Sequence, residues 1–351
     1  SIGQRSAFGF TDLHGEFEFW RGEEGQHGLM LKAGVFPFKY NENAKNLGEY
    51  MFRTLTYPNI IFTGGLTRVN SAGVQLGGID ANTKIFGLTN DLLLTTKTDQ
   101  TPAGALSLTD IISYSVGGVF TVGAGYMFDN FYDPTKIATG KYDVRENNKY
   151  YTLADGSKKL LHPLNPTDLP YDPTVDVAVD SGRLTFQGQK AMVRASMDFG
   201  KLISTPMLSE KDLRLYFEGI LMGVQDRPFY YKKMKDRIAY TVGFNFPTFH
   251  VLDVLAAEYE YCSNPYPNDA IEASLNLSPI PPQSGTGSAV NGDNMKWTVY
   301  AQKNIYEGFT LSGHVANDHM RLVDYFGHTN DRDVMPLRKN WYWSIQMGYA
   351  I

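Results

Sequence analysis

The sequence is poor in several things, and each shortage excludes something. It holds one cysteine, Cys262, among 351 residues, so no disulfide can form within the chain. It has no apolar run of about 18 residues, the length a membrane-spanning helix needs. Positive charge is not in excess: 32 Lys and Arg stand against 37 Asp and Glu, a net charge of -5, which argues against a nucleic-acid partner. Helix formers do not gather over long stretches, so nothing suggests a helical bundle. No charged segment followed by an apolar one stands at Ser1, an absence shared by any exported protein numbered from its mature start.

What the sequence has instead is glycine and aromatic rings. Its 34 Gly, 22 Tyr and 21 Phe point to extended, aromatic-rich β structure. The closing stretch NWYWSIQMGYAI shows the pattern. Trp341, Trp343, Ile345, Met347, Tyr349 and Ile351 occupy one face of a period-two alternation. Tyr342, Ser344, Gln346, Gly348 and Ala350 occupy the other.

The same alternation recurs upstream. RIAYTVGFNF sets Ile238, Tyr240, Val242, Phe244 and Phe246 against Arg237, Thr241 and Asn245. AMVRASMDFG sets Val193, Ala195 and Met197 against Arg194, Ser196 and Asp198. LRLYFEGIL opposes Leu215 and Phe217 to Arg214 and Glu218, and MKWTVYAQK opposes Trp297 and Val299 to Lys296, Thr298 and Gln302. The runs approach the roughly 9–11 residues with which a tilted strand crosses a bilayer. Their second face carries charge, hydroxyls and glycine, which a dry sandwich core would not accept and a wet interior would. Strands in lipid must close on themselves, because an open edge leaves backbone groups unpaired at several kcal/mol each.

Connection lengths supply an independent signal. Read back from the C-terminus, 318–339 is long and 304–307 tight, 263–294 long and 247–250 tight, 130–181 very long and 116–118 tight. Two connections, 225–235 and 201–211, are intermediate. Short turns on one side and long loops on the other fit a barrel of the outer-membrane type, with the tight turns and the C-terminus periplasmic. The long loops, such as HPLNPTDLPYDPTVD, are rich in Pro, Gly, Asn and Asp, the residues of irregular backbone.

Strands are expected near 15–22, 28–37, 68–80, 84–96, 106–115, 117–129, 183–200, 212–224, 236–246, 251–262, 294–304, 307–318 and 339–351. Even counts prevail in single-chain bacterial barrels, so the expectation is an all-β, transmembrane antiparallel β-barrel of about fourteen strands, with 12 to 16 allowed. Residues 1–351 form one domain in this reading, with loops 38–67 and 130–181 folded into or over the pore.

With its final strand apolar at alternate positions to the end, the chain resembles outer-membrane porins. Members of that superfamily usually end on Phe or Trp, and Ile351 departs from this. LKAGVFPFKYNENAKNLGEYMFRTLTYPNII, followed by SAGVQLGG, is similar to the early strand, loop and next strand of phosphate-selective-type porins, through Gly34, Phe36, Pro37, Phe38, Arg53 and Gly73 to Gly77. The resemblance implies a barrel in the bacterial outer membrane, passive transport of small hydrophilic solutes and a homotrimer. It implies neither enzymatic activity nor a cofactor. Phosphate selectivity is not carried over, because the charged faces mix signs.

The pore-lining candidates are Glu49, Arg53, Arg194, Asp198, Arg214, Glu218, Arg237, Glu258 and Lys296, with Lys32, Asp91, Glu260 and Gln302 on the same faces. Glu49 and Arg53 stand in NAKNLGEYMFR, a segment suited to narrowing a pore; the plainer reading is a loop packed on the wall. For the wall charges, the plainer reading is pairing between neighbouring strands. Trp297, Trp341, Trp343 and Tyr349 are expected to face lipid. Asp168, Asp172, Asp176 and Asp180 are four apart, which fits no EF-hand loop, so no metal site is expected. His314 and Asp318 share a strand face and His319 does not; Ser312 and His314 both face inward in this register, so they do not form the outward Ser–His pair that a membrane-embedded lipid hydrolase needs. Two other functions compete with a porin: a non-conducting barrel that anchors or scaffolds partner proteins, and a soluble sandwich that binds glycans.

Overall fold

A computed structural model of the chain describes residues 13–19, 29–52, 69–77, 85–96, 105–132, 142–143, 150–152, 158–160, 183–184, 188–203, 205–221, 223–224, 234–262, 295–306, 308–317 and 341–349. The first six strands are β1 (Leu13–Glu18), β2 (Met30–Phe38), β3 (Val69–Gly77), β4 (Phe86–Thr96), β5 (Leu106–Val116) and β6 (Phe120–Tyr132). Four short strands follow: β7 (Tyr142–Asp143), β8 (Tyr150–Thr152), β9 (Lys158–Leu160) and β10 (Arg183–Leu184). The rest are β11 (Gly188–Asp198), β12 (Arg214–Leu221), β13 (Ile238–Asn245), β14 (Val254–Cys262), β15 (Met295–Tyr306), β16 (Phe309–Ala316) and β17 (Tyr342–Tyr349). A single helical turn, α1 (Phe199–Ile203), follows β11.

Thirteen of these strands form one sheet in the order β1-β2-β3-β4-β5-β6-β11-β12-β13-β14-β15-β16-β17. Every neighbouring pair is antiparallel, so each strand is hydrogen-bonded to the long strands before and after it. The four short strands make two small ribbons, β7 with β10 and β8 with β9, inside the long connection between β6 and β11. Thirteen lies within the expected range. Among the described residues no ladder joins β1 to β17, the two ends of the order.

The tight-turn end is built as the sequence suggests. β5 and β6 are joined through Gly117 and Gly118 at φ 58° and 66°, the left-handed pair of the turn that best matches strand twist. The end of β11 and the intermediate connection after it pack on that turn: Asp198 N donates to the Val119 carbonyl, and Lys201 Nζ to the Gly118 carbonyl at 3.0 Å. Asp212 then ties it to the β13–β14 turn, accepting from Thr248 N at 3.0 Å and Thr248 Oγ1 at 3.0 Å.

The two faces of the sheet are opposite in character. On the outer face Val193 faces Gly219, Phe217 faces Val242, Val242 faces Tyr259, and Tyr259 faces Trp297. Large apolar side chains of this face are exposed, Val193 by 56 %, and Trp343 and Met347 of β17 by 63 % and 73 %. On the inner face, Lys190, Glu218, Glu258, Glu260 and Lys296 are buried. The arrangement inverts that of a water-soluble protein, whose ionised groups lie outside.

Candidate functional site

The inner face owes its burial to a segment of this chain. After β2, residues Lys39 to Phe52 do not turn back into β3; they lie across the inner face of β11–β15. Tyr40, Leu47, Tyr50 and Met51 are buried there. Tyr40, Tyr50 and Met51 join Phe36, Phe38, Leu93, Ile111, Met127, Met192, Ile220 and Ala239 in the apolar cluster of the described residues.

Register places the wall's charges in rows. Arg194 faces Glu218, Glu218 faces Thr241, Thr241 faces Glu260, and Glu260 faces Lys296. One level nearer the tight-turn end, Tyr216 faces Gly243, Gly243 faces Glu258, and Glu258 faces Thr298. Both rows follow from the two-residue side-chain period of each strand.

The segment is fastened to these rows through its backbone. Glu218 accepts from Glu49 N at 3.0 Å, Tyr50 N at 2.9 Å, Asn41 Nδ2 at 3.1 Å and the Tyr40 hydroxyl. Glu258 accepts from Asn46 N at 3.0 Å, Leu47 N at 2.9 Å, Lys45 N and the Tyr216 hydroxyl at 2.8 Å. Glu260 takes Gly48 N at 3.3 Å and the Tyr50 hydroxyl at 2.8 Å. Hydrogen bonds to an ionised acceptor contribute about 1.5–3 kcal/mol each, so two such carboxylates hold the segment firmly. Lys190 adds a cation from the other side: its Nζ donates to the Met51 carbonyl at 3.1 Å and lies 3.6 Å from Asp129.

Local conformation lets the backbone present its amides. Gly48 and Glu49 are both left-handed, at φ 80° and 60°, and this turns their N–H groups onto the wall. A Cβ on Gly48 would stand 2.8 Å from Glu218 Oε2 and 3.0 Å from Thr241 Cγ2. The Glu49 side chain folds inward and accepts from Asn41 N at 3.0 Å. Burial, and then the charge of Glu218, push its carboxyl up to about 8.

The residues singled out in the sequence fall as follows. Glu49, Arg194, Asp198, Arg214, Glu218, Glu258 and Lys296 all lie on the inner face or in the segment across it. Arg194 bonds Ser113 Oγ, and Arg214 pairs with Asp198 at 2.7 Å and donates to Asn43 at 3.0 Å. Arg194, Asp198, Arg214 and Asn43 line a cleft of about 280 Å³ together with Tyr40 and Lys201. Arg237 ends the helical turn Met234–Arg237 before β13. Arg53 lies outside the described residues, as do Asp168, Asp172, Asp176, Asp180, Asp318 and His319. Trp297, Trp343 and Tyr349 are on the outer face, and Trp341 is exposed beside it. His314 and Ser344 meet at 3.0 Å on the inner side of β16 and β17. Among the described residues no group of His, Cys, Asp or Glu is arranged to hold a metal.

Sequence reading missed Lys190, Tyr216 and Tyr40. Lys190 and Tyr216 share strand parity with Arg194 and Glu218, so alternation could have found them. Nothing local marks Tyr40, because its partner is 178 residues away.

No family model matches the chain, and no curated protein matches it. Solved variants of the porin of Rhodobacter blastica do align with it. A tryptophan variant has a TM-score of 0.36 at 10% identity, covering 82% of this chain and 68% of that one. A variant with charged residues replaced by alanine gives 0.37 at 10%, and a lysine variant 0.35 at 11%, with the same coverages. At such scores the likeness carries no argument about solute, selectivity or assembly.

Proposed function

We propose that this chain is an outer-membrane porin, a single barrel through whose water-filled lumen small hydrophilic solutes diffuse. One observation carries the reading: along thirteen antiparallel strands the exposed outer face is apolar, and the charges lie within. Lipid is the solvent that suits such an exterior. The backbone argument supports closure, because an edge in hydrocarbon would leave N–H and C=O groups without partners.

In this reading Lys39–Phe52 is the constriction. It fills the lumen in front of β11–β15 and leaves solutes the side lined by β16, β17 and β1. Glu218 and Glu258 position it, and Arg194, Asp198 and Arg214 border the cleft on the tight-turn side. Signs are mixed throughout, so weak ion selectivity is expected. Passage is diffusive and requires no bond to be made or broken.

The test is conductance of the purified protein in planar bilayers, followed by liposome swelling with sugars of graded size. Discrete open levels and a size cut-off are expected. A stably inserted protein that gives no channel events would sink the porin reading in favour of a plugged barrel that scaffolds partners; the density of the packed segment is what gives that alternative its footing.

A further inference from the structure

The inner face of β15–β17 carries polar side chains that the segment across β11–β15 leaves uncovered. Next to the tight turn Asn304 faces Thr310. Two residues further along, Gln302 faces Ser312 and Ser312 faces Gln346. Two further again, Tyr300 faces His314 and His314 faces Ser344. All of them are half-exposed or exposed. None carries a fixed charge, and His314 alone can take up a proton. Ionised groups on neighbouring strands have partners of their own: Glu258 of β14 holds the segment 39–52, and Lys32 of β2 pairs with Glu16 of β1 at 3.1 Å.

This array is ordered from within. The Tyr300 hydroxyl donates to Gln302 Oε1 at 2.9 Å, Gln302 Nε2 to Asn304 Oδ1 at 3.4 Å, and Thr310 Oγ1 to the same oxygen at 2.8 Å. On the next strand pair Ser344 Oγ and His314 Nδ1 meet at 3.0 Å. The Asn304 oxygen thus accepts twice, which leaves its NH2 group to other acceptors. Gln346, exposed in the middle row, offers two donors and an acceptor in one group.

Such a surface selects by chemistry. Adjacent hydroxyls of a sugar are each donor and acceptor, and an amide, with N–H and C=O side by side, can take two of them at once. An ion finds no opposite charge here to form a charge-assisted bond, and it would exchange water for neutral partners. With strands about 4.8 Å apart and same-face side chains recurring every ~6.7 Å, the array spans about 10 Å by about 13 Å, more than one sugar ring. Its three rows succeed one another along the strands, so a bound solute can trade hydrogen bonds row by row. Repeated weak sites of this kind hold a solute without trapping it.

We propose that the inner face of β15–β17 is a binding track for neutral carbohydrates, short oligosaccharides in particular. The inference rests on the porin reading and names the solute class of that lumen.

Raffinose, a neutral trisaccharide, tests it in planar bilayers against a polyethylene glycol of matched size. Raffinose should depress the single-channel ion current saturably, and the polyether only in proportion to its concentration. The double variant Gln302→Leu, Gln346→Leu should raise the half-blocking raffinose concentration about tenfold, the effect of losing one or two hydrogen bonds. If that variant does not fold, Gln346→Ala should shift it the same way by about threefold. Equal block by both solutes, tighter block by citrate than by raffinose, or an unchanged half-blocking concentration in a folded variant would each overturn the proposal. Titration calorimetry of raffinose into the detergent-solubilised protein separates the two readings. Binding heat that the variants lose, without any channel events, would keep the track and sink the porin. Open channels with neither saturable block nor binding heat would sink the track alone.

Discussion

The inner face of β11–β15 and that of β16, β17 and β1 are built on the same alternation and do different things. On β11–β15 the acidic groups are buried and committed: Glu218 and Glu258 are taken up mainly by donors of the segment between β2 and β3, backbone N–H groups for the most part, with the Tyr40 hydroxyl and Asn41 Nδ2 beside them. On the second stretch the groups are half-exposed or exposed. They are mainly uncharged polar groups, as in Ser312, Ser344 and Gln346, or paired at the surface, as in Lys32 with Glu16 at 3.1 Å. The contrast teaches that a polar strand face need not be wetted. Whether it meets water depends on what the chain elsewhere lays across it.

The largest expected effect breaks the contrast outright. Replacing Asn41–Tyr50 by a short flexible linker should strip the cover from β11–β15 and raise single-channel conductance several-fold, while the strands still assemble. An unchanged conductance would show that the segment does not narrow the path. Next comes Glu218→Ala, which leaves two buried backbone N–H groups, a phenol and an amide without their acceptor. A loss of about 3 kcal/mol or more is expected, read as a lower melting temperature together with noisy, enlarged openings. Gly48→Ala should cost about 1–2 kcal/mol, because a Cβ is strained at that positive φ and would press on Glu218; melting of the purified protein measures it.

The pH dependence sharpens the comparison more gently. Glu49 is buried, with Glu218 disfavouring its charge and Lys39 and Arg194 favouring it, and the net result raises its carboxyl to about 8. A raised value means that the folded form holds the proton more tightly than the unfolded one. That contribution is complete below about 4.5, declines as pH rises, and is gone once pH has passed about 8. The docked segment should therefore loosen as pH rises from 4.5 to about 8 in a conductance titration, and Glu49→Gln should flatten the slope. The smallest effect belongs to the second stretch. Gln346→Ala should change stability by no more than about 0.5 kcal/mol, and a larger loss on melting would mean that this wall too is engaged.

Much of the architecture was legible because strands reveal their faces at a two-residue period. Parity alone puts Arg194, Glu218, Lys296 and Thr298 on one side and Val193, Phe217, Trp297 and Val299 on the other, and the register agrees. The tight turn at Gly117–Gly118 was likewise local chemistry. The fastening was not legible. Glu218 reads as one more charge on a polar stripe until the chain has folded, because its donors are about 170 residues distant. Asp110 of β5 shows the opposite limit: exposed on the outer face opposite Leu92, it occupies an apolar parity position, and pattern reading averages such an exception away. The loops beyond the strands offered composition without period.

The way the segment is held has a consequence for its evolution. Glu218 and Glu258 grip amide hydrogens, which every residue but proline supplies, so much of the attachment is indifferent to the side chains it carries. Only a few positions, chiefly Tyr40, Asn41, Gly48 and Tyr50, are pinned by identity. If the segment narrows a pore as proposed, exchanges at Glu42 or Lys45 would redraw the rim of that aperture while its hinge pins stay in place. Under the proposed porin function, sieving and anchorage would thus sit on separate letters of the same short word, and a lineage could rewrite one without misspelling the other.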